Sequence, residues 1–307
     1  MDRIDCFRAF VRTLEGGSFS AAAKELGIGQ PAVTKRIALL EREFGTQLFL
    51  RTTRKLRPTP EAHRIYELAR QILGSFDLAR SSVEQTPPRP TGTLRVSLPS
   101  SFGRRYMMPV IAEYVRNYPE VCLDVRFSER FVNLVEEGIE LALRIGNLKA
   151  STLVARRLGT VQHYLVATPT YLHGRPTPRT PEDLNTHQCI IYSRLPAANE
   201  WTFESEHGRH VTSIGGPVIV DDADAMEEAV MHHLGIAILP EWNAIDGIRC
   251  GQLENILPEY SIAASPLHAV YPEMHWMSPR ARSFLDLLIK RAGQFAAQPI
   301  QPPRHPA

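Results

Sequence analysis

Apolar side chains recur at helical spacing through the first 45 residues. Ile4, Phe7, Phe10, Val11 and Leu14 predict one helix, and Gly16-Gly17 ends it. Ser18 is placed to cap a second, short helix over 19–26, whose Ala21-Ala22-Ala23 allows close packing and which Gly27 closes. Pro31 sits in the first turn of a third helix, where its missing N–H costs nothing. That helix runs to Phe44 with Val33, Ile37, Leu40 and Phe44 on one stripe, and Gly45 ends it. Two short strands are then expected around a basic turn, from Leu48-Phe49-Leu50 to Arg57.

Residues 60–85 form one long helical pattern. Ile65, Ala69, Ile72, Phe76, Ala79 and Val83 repeat as a heptad seam, narrower than the stripe of a core helix. At 1.5 Å per residue the helix spans ~39 Å, and its seam is expected to pair with a second copy. Packing on its own chain is the alternative. The stretch Thr86-Pro87-Pro88-Arg89-Pro90-Thr91-Gly92 reads as a stiff linker and a domain boundary.

Beyond the linker, strands and helices alternate. Strands are expected at 94–98, 121–127, 141–145, 163–167, 189–192 and 235–239, with helices at 107–117 and 132–137. This rhythm implies an open α/β sheet whose ligands bind beyond the carboxyl ends of the strands. The stretch 294–307 carries four prolines and is expected to be disordered.

Composition narrows the class. The 307 residues are 43% hydrophobic and 22% charged, an ordinary globular balance sufficient for two or three domains. No apolar run approaches the ~20 residues of a membrane span, and because Met1-Asp2-Arg3 leads directly into an amphipathic pattern no signal segment is expected. Cys6, Cys122, Cys189 and Cys250 are scattered, which suggests reduced thiols in a cytoplasmic protein, with Cys189 and Cys250 expected to be buried and inert. The net charge of +2 hides an asymmetry: residues 1–60 carry +5, and residues 91–307 carry −3. A basic head on a mildly acidic body points to a polyanion as the partner of the head.

The three predicted helices with a sharp turn after the second are a helix-turn-helix, whose last helix enters the major groove of double-stranded DNA. On the third helix, Pro31, Lys35, Ala38 and Arg42 lie opposite the apolar stripe, with Gln30 and Thr34 at its N-terminal edge. Gln pairs with adenine, Thr offers a hydroxyl or methyl, and Lys reaches guanine or phosphate. Arg36 lies on the flank, facing backbone. Arg51, Arg54, Lys55 and Arg57 form a wing over phosphates, which position the protein without reading sequence. The bland alternative is a solvated basic face.

The segments Gly17-Ser18-Phe19-Ser20-Ala21-Ala22-Ala23-Lys24-Glu25-Leu26, Gln30-Pro31-Ala32-Val33-Thr34-Lys35-Arg36-Ile37, Leu40-Glu41, Gly45, Leu48-Phe49 and Arg51-Thr52-Thr53-Arg54 resemble the LysR-type transcriptional regulators. The resemblance is dense over the first 65 residues and looser to about residue 290. It departs at Gly29, where a Ser cap is usual, at Thr34 and Lys35, where Ser and Arg are commoner, and at Ala62, where Gly is usual.

What the resemblance implies is a mixed α and β protein. It has a winged helix-turn-helix over 1–59, a linker and dimerisation helix over 60–86, and a two-lobed, periplasmic-binding-protein-like effector domain over 87–293. Lobe I would take 92–162 and 267–293, lobe II 163–266. DNA contacts would come from Ser18, Gln30, Pro31, Ala32, Thr34, Lys35, Arg36, Arg51, Thr53, Arg54 and Lys55. The implied partners are a partly palindromic promoter site, RNA polymerase, a small-molecule effector, and further copies of the chain in a homodimer or homotetramer. His163 to Pro169 and Leu234 to Pro240 look like two characteristic lobe II segments.

Candidate effector contacts follow the strands. Ser100, Ser101 and Phe102 follow the first, Phe127 and Ser128 the second, and Gly146 and Asn147 the third; Asp221 and Asp222 form a fourth wall. The Ser100-Ser101 helix start suggests a carboxylate or aromatic acid. Plain turn chemistry explains each residue equally well, and Asp221 and Asp222 also suit a helix cap. His232-His233 and His207-Gly208-Arg209-His210 lack the spacing of a zinc site, so no metal or cofactor is expected. A Cys189–Cys250 redox switch lacks any neighbour that would lower a thiol pKa. No GxSxG, Walker or GxGxxG motif occurs, so a regulator is expected rather than an enzyme. A non-specific nucleoid-packing protein and an enzyme with a DNA-binding appendage remain as alternatives.

Overall fold

The computed structural model describes residues 2–51, 56–84, 89–130, 133–148, 153–195, 197–273 and 277–295. The head is built from α1 (Arg3–Gly16), α2 (Phe19–Leu26), α3 (Gln30–Phe44) and the antiparallel hairpin of β1 (Phe49–Arg51) with β2 (Leu56–Pro58). Asp2 caps α1 and Ser18 caps α2 through their side chains, while Gly17, Gly27 and Gly45 end the three helices at positive φ. Phe10, Ala22, Val33, Ile37, Leu40 and Leu48 make a buried core, with Phe49 edged against Phe10 and Phe19. Each large side chain of this set contributes roughly 1.5–3 kcal/mol by leaving water.

The linker helix α4 (Pro60–Glu84) starts at Thr59, whose hydroxyl donates to the carbonyl of Gln47 and accepts the N–H of Ala62. Its first half does not project freely. Ala62, Tyr66 and Ala69 are buried in the head, with Ile65 and Leu73 packed beside them. The expected heptad seam is therefore corrected. Ala69 is 0% exposed within its own chain and cannot meet a second copy, and Ile65 belongs to the rim of the head core.

Lobe I begins with β3 (Gly92–Leu98), α5 (Ser100–Phe102), α6 (Met108–Asn117), β4 (Val121–Phe127), β5 (Leu141–Ile145) and β6 (Leu153–Val161). Lobe II holds β7 (His163–Ala167), α7 (Pro169–Leu172), β8 (Ile190–Tyr192), β9 (Glu200–Ser205), β10 (Gly208–Ser213) and β11 (Val218–Val220). It continues with α8 (Ala223–Met231), β12 (Ala237–Pro240), α9 (Glu241–Arg249), β13 (Glu254–Asn255) and β14 (Ser261–Ile262). The chain then returns to lobe I as β15 (Ser265–Pro272) and α10 (Pro279–Arg291).

The lobe I sheet runs β4-β3-β5-β15-β6, parallel at β4-β3-β5 and antiparallel through β15. Lobe II repeats the plan. A parallel bridge between Cys189 and Ile236 joins β11-β8 to β12-β7-β13. That bridge depends on Gly235, because a Cβ there would lie 2.4 Å from the carbonyl oxygen of Gln188. The chain crosses between lobes at Gln162 and again just before β15, which starts at Ser265, two residues earlier than expected.

Three expectations change. The helix expected at 107–117 extends back to Ser100 through a wide π turn at Gly103–Met107; Pro109, with no N–H for the carbonyl of Arg105, marks where the register shifts. The helix expected over 132–137 is instead a turn at 134–138, closed by the Ile139 N–H on the Leu134 carbonyl; residues 131–132 lie outside the described residues. Phe295, assigned to a disordered stretch, is buried against Phe102 in the lobe I core; 296–307 lie outside the described residues.

The head docks on lobe I through charged contacts. Arg95 of β3 donates to the carbonyl of Glu15, whose carboxylate is held on the head side by the Tyr66 hydroxyl of α4, at 3.1 and 2.8 Å respectively. Arg70 of α4 reaches Glu140, which also binds Arg280 and the Ser278 hydroxyl. Among the described residues no helix is long and apolar enough to cross a membrane.

Candidate nucleic-acid interface and effector cleft

Helix α3 presents two unlike faces. Val33, Ile37 and Leu40 are buried against α1 and α2, whereas Gln30, Pro31, Ala32, Lys35 and Arg42 are exposed and Thr34 and Ala38 half-buried. Of the residues expected to read bases, Gln30, Pro31 and Lys35 are exposed and Thr34 is half-buried. Gly29 occupies the cap position with extended backbone and no side-chain hydrogen bond; Pro31 has no N–H to satisfy, and the Ala32 and Val33 N–H groups both donate to the Gly29 carbonyl. Arg36 is engaged elsewhere: its guanidinium donates to Asp5 of α1 at 2.9 Å, tying α3 to α1. Ser18 is occupied as well, since its hydroxyl accepts the Ala21 N–H.

The wing is pinned by a residue that charge and periodicity did not single out. The Glu41 carboxylate accepts the N–H groups of Leu48 and Phe49, at 2.9 and 3.3 Å, and so fixes where β1 leaves α3. Arg51 closes β1 opposite Leu56, and Arg57 is exposed on β2. Thr53, Arg54 and Lys55 lie outside the described residues.

On α4 the exposed apolar residues are Leu68 (58%), Ile72 (40%) and Phe76 (41%), followed by exposed Ala79. Of the expected seam, Ile72, Phe76 and Ala79 face outward while Ala69 does not, and Leu68 joins them. The shift follows from the head, which covers the other side of the first half of the helix.

Between the lobes, the candidate effector residues divide. Ser101 is buried, and its hydroxyl accepts from the Trp242 indole at 2.6 Å and lies 3.0 Å from the Asn243 amide oxygen, so it bridges the lobes itself. Phe102 is 1% exposed and stacked among Tyr106, Trp242 and Phe295. It is a core residue, contrary to expectation, because its ring packs inside the lobe I core rather than facing the cleft. Phe127 lies over Gly103, where a Cβ would come within 2.7 Å of its ring. Asp222 caps α8 by accepting from Asp224 and Ala225, the duller of its two expected roles. Ser128 accepts the N–H of Arg130, Gly146 turns at φ 99° after β5, and Asn147 is exposed beside it.

Ser100 carries the largest correction. Its N–H, expected to meet an effector carboxylate, donates to the Glu129 carboxylate of the same lobe at 2.7 Å. Burial raises the Glu129 pKa, the Ser100 N–H lowers it, and Asp222 raises it again across the cleft. Glu129, Arg130, Ser193, Arg194 and Asp221 line one groove between the lobes, with Arg194 bonded to Asp221. The sequence pattern singled out Ser128 but neither its neighbour Glu129 nor Arg194. Both sit at strand ends, β4 and β8, where the rule that selected Ser128 applies equally. Arg104 pairs with Asp224 and Arg105 with Asp246, closing the other side of the lobes.

Among the described residues no group of three or more His, Cys, Asp or Glu side chains is arranged to hold a metal ion. His233 bonds the Thr168 hydroxyl and His210 the Ser205 hydroxyl. Of the two thiols expected to be buried, Cys189 is buried and Cys250 is exposed; Cys6 is buried and Cys122 exposed. Burial pushes Cys189 up to about 12.

A winged helix-turn-helix head, a long connecting helix and a two-lobed α/β body together define a class of DNA-binding transcriptional regulator. Residues 4–63 match the bacterial regulatory helix-turn-helix protein family of lysR type, and residues 88–293 match the LysR substrate binding domain. The chain is 32% identical over 286 residues to the HTH-type transcriptional regulator PtxR of Pseudomonas aeruginosa, covering 93% of this chain and 92% of that one. It is 32% identical to the HTH-type transcriptional regulator DmlR of Escherichia coli, covering 92% of each. Among solved structures it resembles CrgA, a LysR-type regulator from Neisseria meningitidis, at TM-score 0.60 and 29% identity, over 94% of this chain and 98% of that one. A full-length OxyR variant from Pseudomonas aeruginosa shares the fold at TM-score 0.69 and 16% identity, over 95% and 94% of the two chains. The chain belongs to the LysR-type transcriptional regulators, DNA-binding proteins with a C-terminal effector-binding domain.

Proposed function

We propose that this protein is a sequence-specific regulator whose promoter binding and bending respond to a small molecule held between lobes I and II. The observation that carries the reading is the exposed face of α3, where Gln30, Thr34 and Lys35 stand opposite a buried apolar stripe. Two copies pair along the outer side of α4 through Leu68, Ile72 and Phe76, and present their two heads to half-sites of a partly palindromic site. Successive half-sites lie about 34 Å apart, one helical turn of DNA. Exposed Met108 and Val115 on α6 and Ile219 on β11 support further contacts between effector domains, which would build a tetramer. Effector binding shifts the population between lobe arrangements only as far as the effector binds them differently. Arg70–Glu140 and Arg95–Glu15 link lobe I to the head and so give that shift a path to the DNA. The names of the relatives, all transcriptional regulators, support a regulator rather than an enzyme, and therefore a protein that works in the cytoplasm alongside RNA polymerase.

The test is to capture genomic fragments with the full-length protein at physiological salt and sequence them, alongside a Thr34→Ala/Lys35→Ala variant. Discrete peaks that vanish in the variant support the reading. A flat profile, equal for both proteins, overturns it in favour of a non-specific packing protein.

A further inference from the structure

The interlobe groove carries charges of both signs. Glu129 and Arg130 come from lobe I, and Ser193, Arg194 and Asp221 from lobe II, around a volume of about 450 Å³. That lies within the roughly 300–1,000 Å³ of small-molecule sites. The two walls share one neighbourhood. Burial raises the pKa of Tyr192, and Glu129 of lobe I then acts on the same hydroxyl together with Arg194, Asp222 and Asp221 of lobe II.

Glu129, Arg194 and Asp221 are each partly engaged. One Glu129 oxygen accepts the Ser100 N–H, and Arg194 uses two of its five N–H groups on the backbone and carboxylate oxygens of Asp221. A simple carboxylate entering the groove would meet Glu129 and Asp221 as well as the guanidiniums, and the helix start at Ser100 is already taken. A simple cation would meet the converse. A molecule with an ammonium and a carboxylate a few ångströms apart satisfies both signs at once.

We propose that the groove binds a free α-amino acid, with its ammonium against Glu129 and Asp221 and its carboxylate against Arg130 and Arg194. This rests on the reading of the cleft as the effector site. Burial raises the pKa of Glu129 through lost hydration, and an ammonium beside it would restore the charge compensation that water no longer supplies.

Isothermal titration of the full-length protein, first with each free L-α-amino acid and then with the matching L-α-hydroxy acid, tests the proposal directly. The hydroxy acid keeps the carboxylate and side chain but replaces the ammonium with a hydroxyl. At least one amino acid is expected to bind, and its hydroxy acid to bind at least tenfold more weakly. Glu129→Gln and Asp221→Asn should each weaken the amino acid at least fivefold and the hydroxy acid less. Asp221 is exposed, so its variant retains the fold even if Glu129→Gln does not. A hydroxy acid that binds as tightly as the amino acid overturns the assignment, and so does unchanged affinity in both variants. Binding by neither set also overturns it, while the genomic capture experiment decides the regulator reading independently.

Discussion

Arg70 of the linker helix lies 3.4 Å from Glu140 of lobe I, and both side chains are nearly buried. Glu140 is the point where the DNA-binding head, through α4, and α10, through Arg280 and Ser278, meet one carboxylate. Burial alone would raise its pKa, but Arg280, Arg70 and the Ser278 hydroxyl hold it below the usual carboxylate range.

Removal of this carboxylate should be costly. Glu140→Ala leaves two guanidiniums facing a buried gap, and breaking such a pair costs about 3–5 kcal/mol. Urea unfolding should show that loss, and limited proteolysis should show faster cleavage between head and body. A depressed pKa also means that this stabilisation is full above the ordinary carboxylate value and is lost as pH falls through the folded value. Wild type should therefore lose more stability than Glu140→Gln on acidification below about pH 4.5.

Base reading and phosphate contact should separate on mutation. Lys35→Ala and Gln30→Ala are each expected to weaken binding to the selected DNA site by about 1–3 kcal/mol, with little change on random DNA. Arg57→Ala and Arg54→Ala should weaken both about equally and flatten the salt dependence. Fluorescence anisotropy at two salt concentrations distinguishes the two classes.

The outer face of α4 makes a contrasting pair of variants. Phe76→Asp places a charge on the exposed stripe and should shift sedimentation equilibrium toward monomer while leaving the melting temperature of the head unchanged. Ala69→Leu overfills the head core, where Ala69 is 0% exposed, and should cost about 1–3 kcal/mol without breaking the dimer. If Ala69→Leu dissociates the dimer and Phe76→Asp does not, the assignment of faces is reversed.

Glu241 gives a pH dependence of opposite sign to Glu140. It starts α9, its N–H donates to the Gln162 carbonyl at the crossing between lobes, its Oε2 is buried without a hydrogen-bond partner, and burial raises its pKa to about 7. A raised carboxyl pKa means the folded protein holds the proton more tightly. Stability is therefore lost as pH rises from about 4.5 to 7 and is level above that, by up to about 3 kcal/mol. In Glu241→Gln that decline should vanish, as followed by urea unfolding at pH 5.5 and 8.

Much of the chain was legible in sequence because local rules suffice for it. The periodicity of Val33, Ile37 and Leu40, the glycines ending α1, α2 and α3, and the proline-rich boundary before β3 each act within a turn or two of chain. The exposed face of α3 follows directly, since a helix that buries one stripe must show the other. The cleft was less legible. Ser100 and Ser128 sit at strand ends as expected, but the group that reaches Ser100 is Glu129, brought there by the pairing of β3 with β4.

By itself the sequence determined the order of most elements, the family, and the side of α3 that stays exposed, because helix periodicity, caps and turn residues are fixed by near neighbours. Only the tertiary structure decided which side of α4 stays exposed, that Phe102 is core, and which charges share the cleft. Those depend on contacts between residues far apart in the chain: the head covering Ala69, Trp242 and Phe295 packing on Phe102, and two lobes bringing Glu129 within reach of Arg194. No periodicity encodes a distance between lobes.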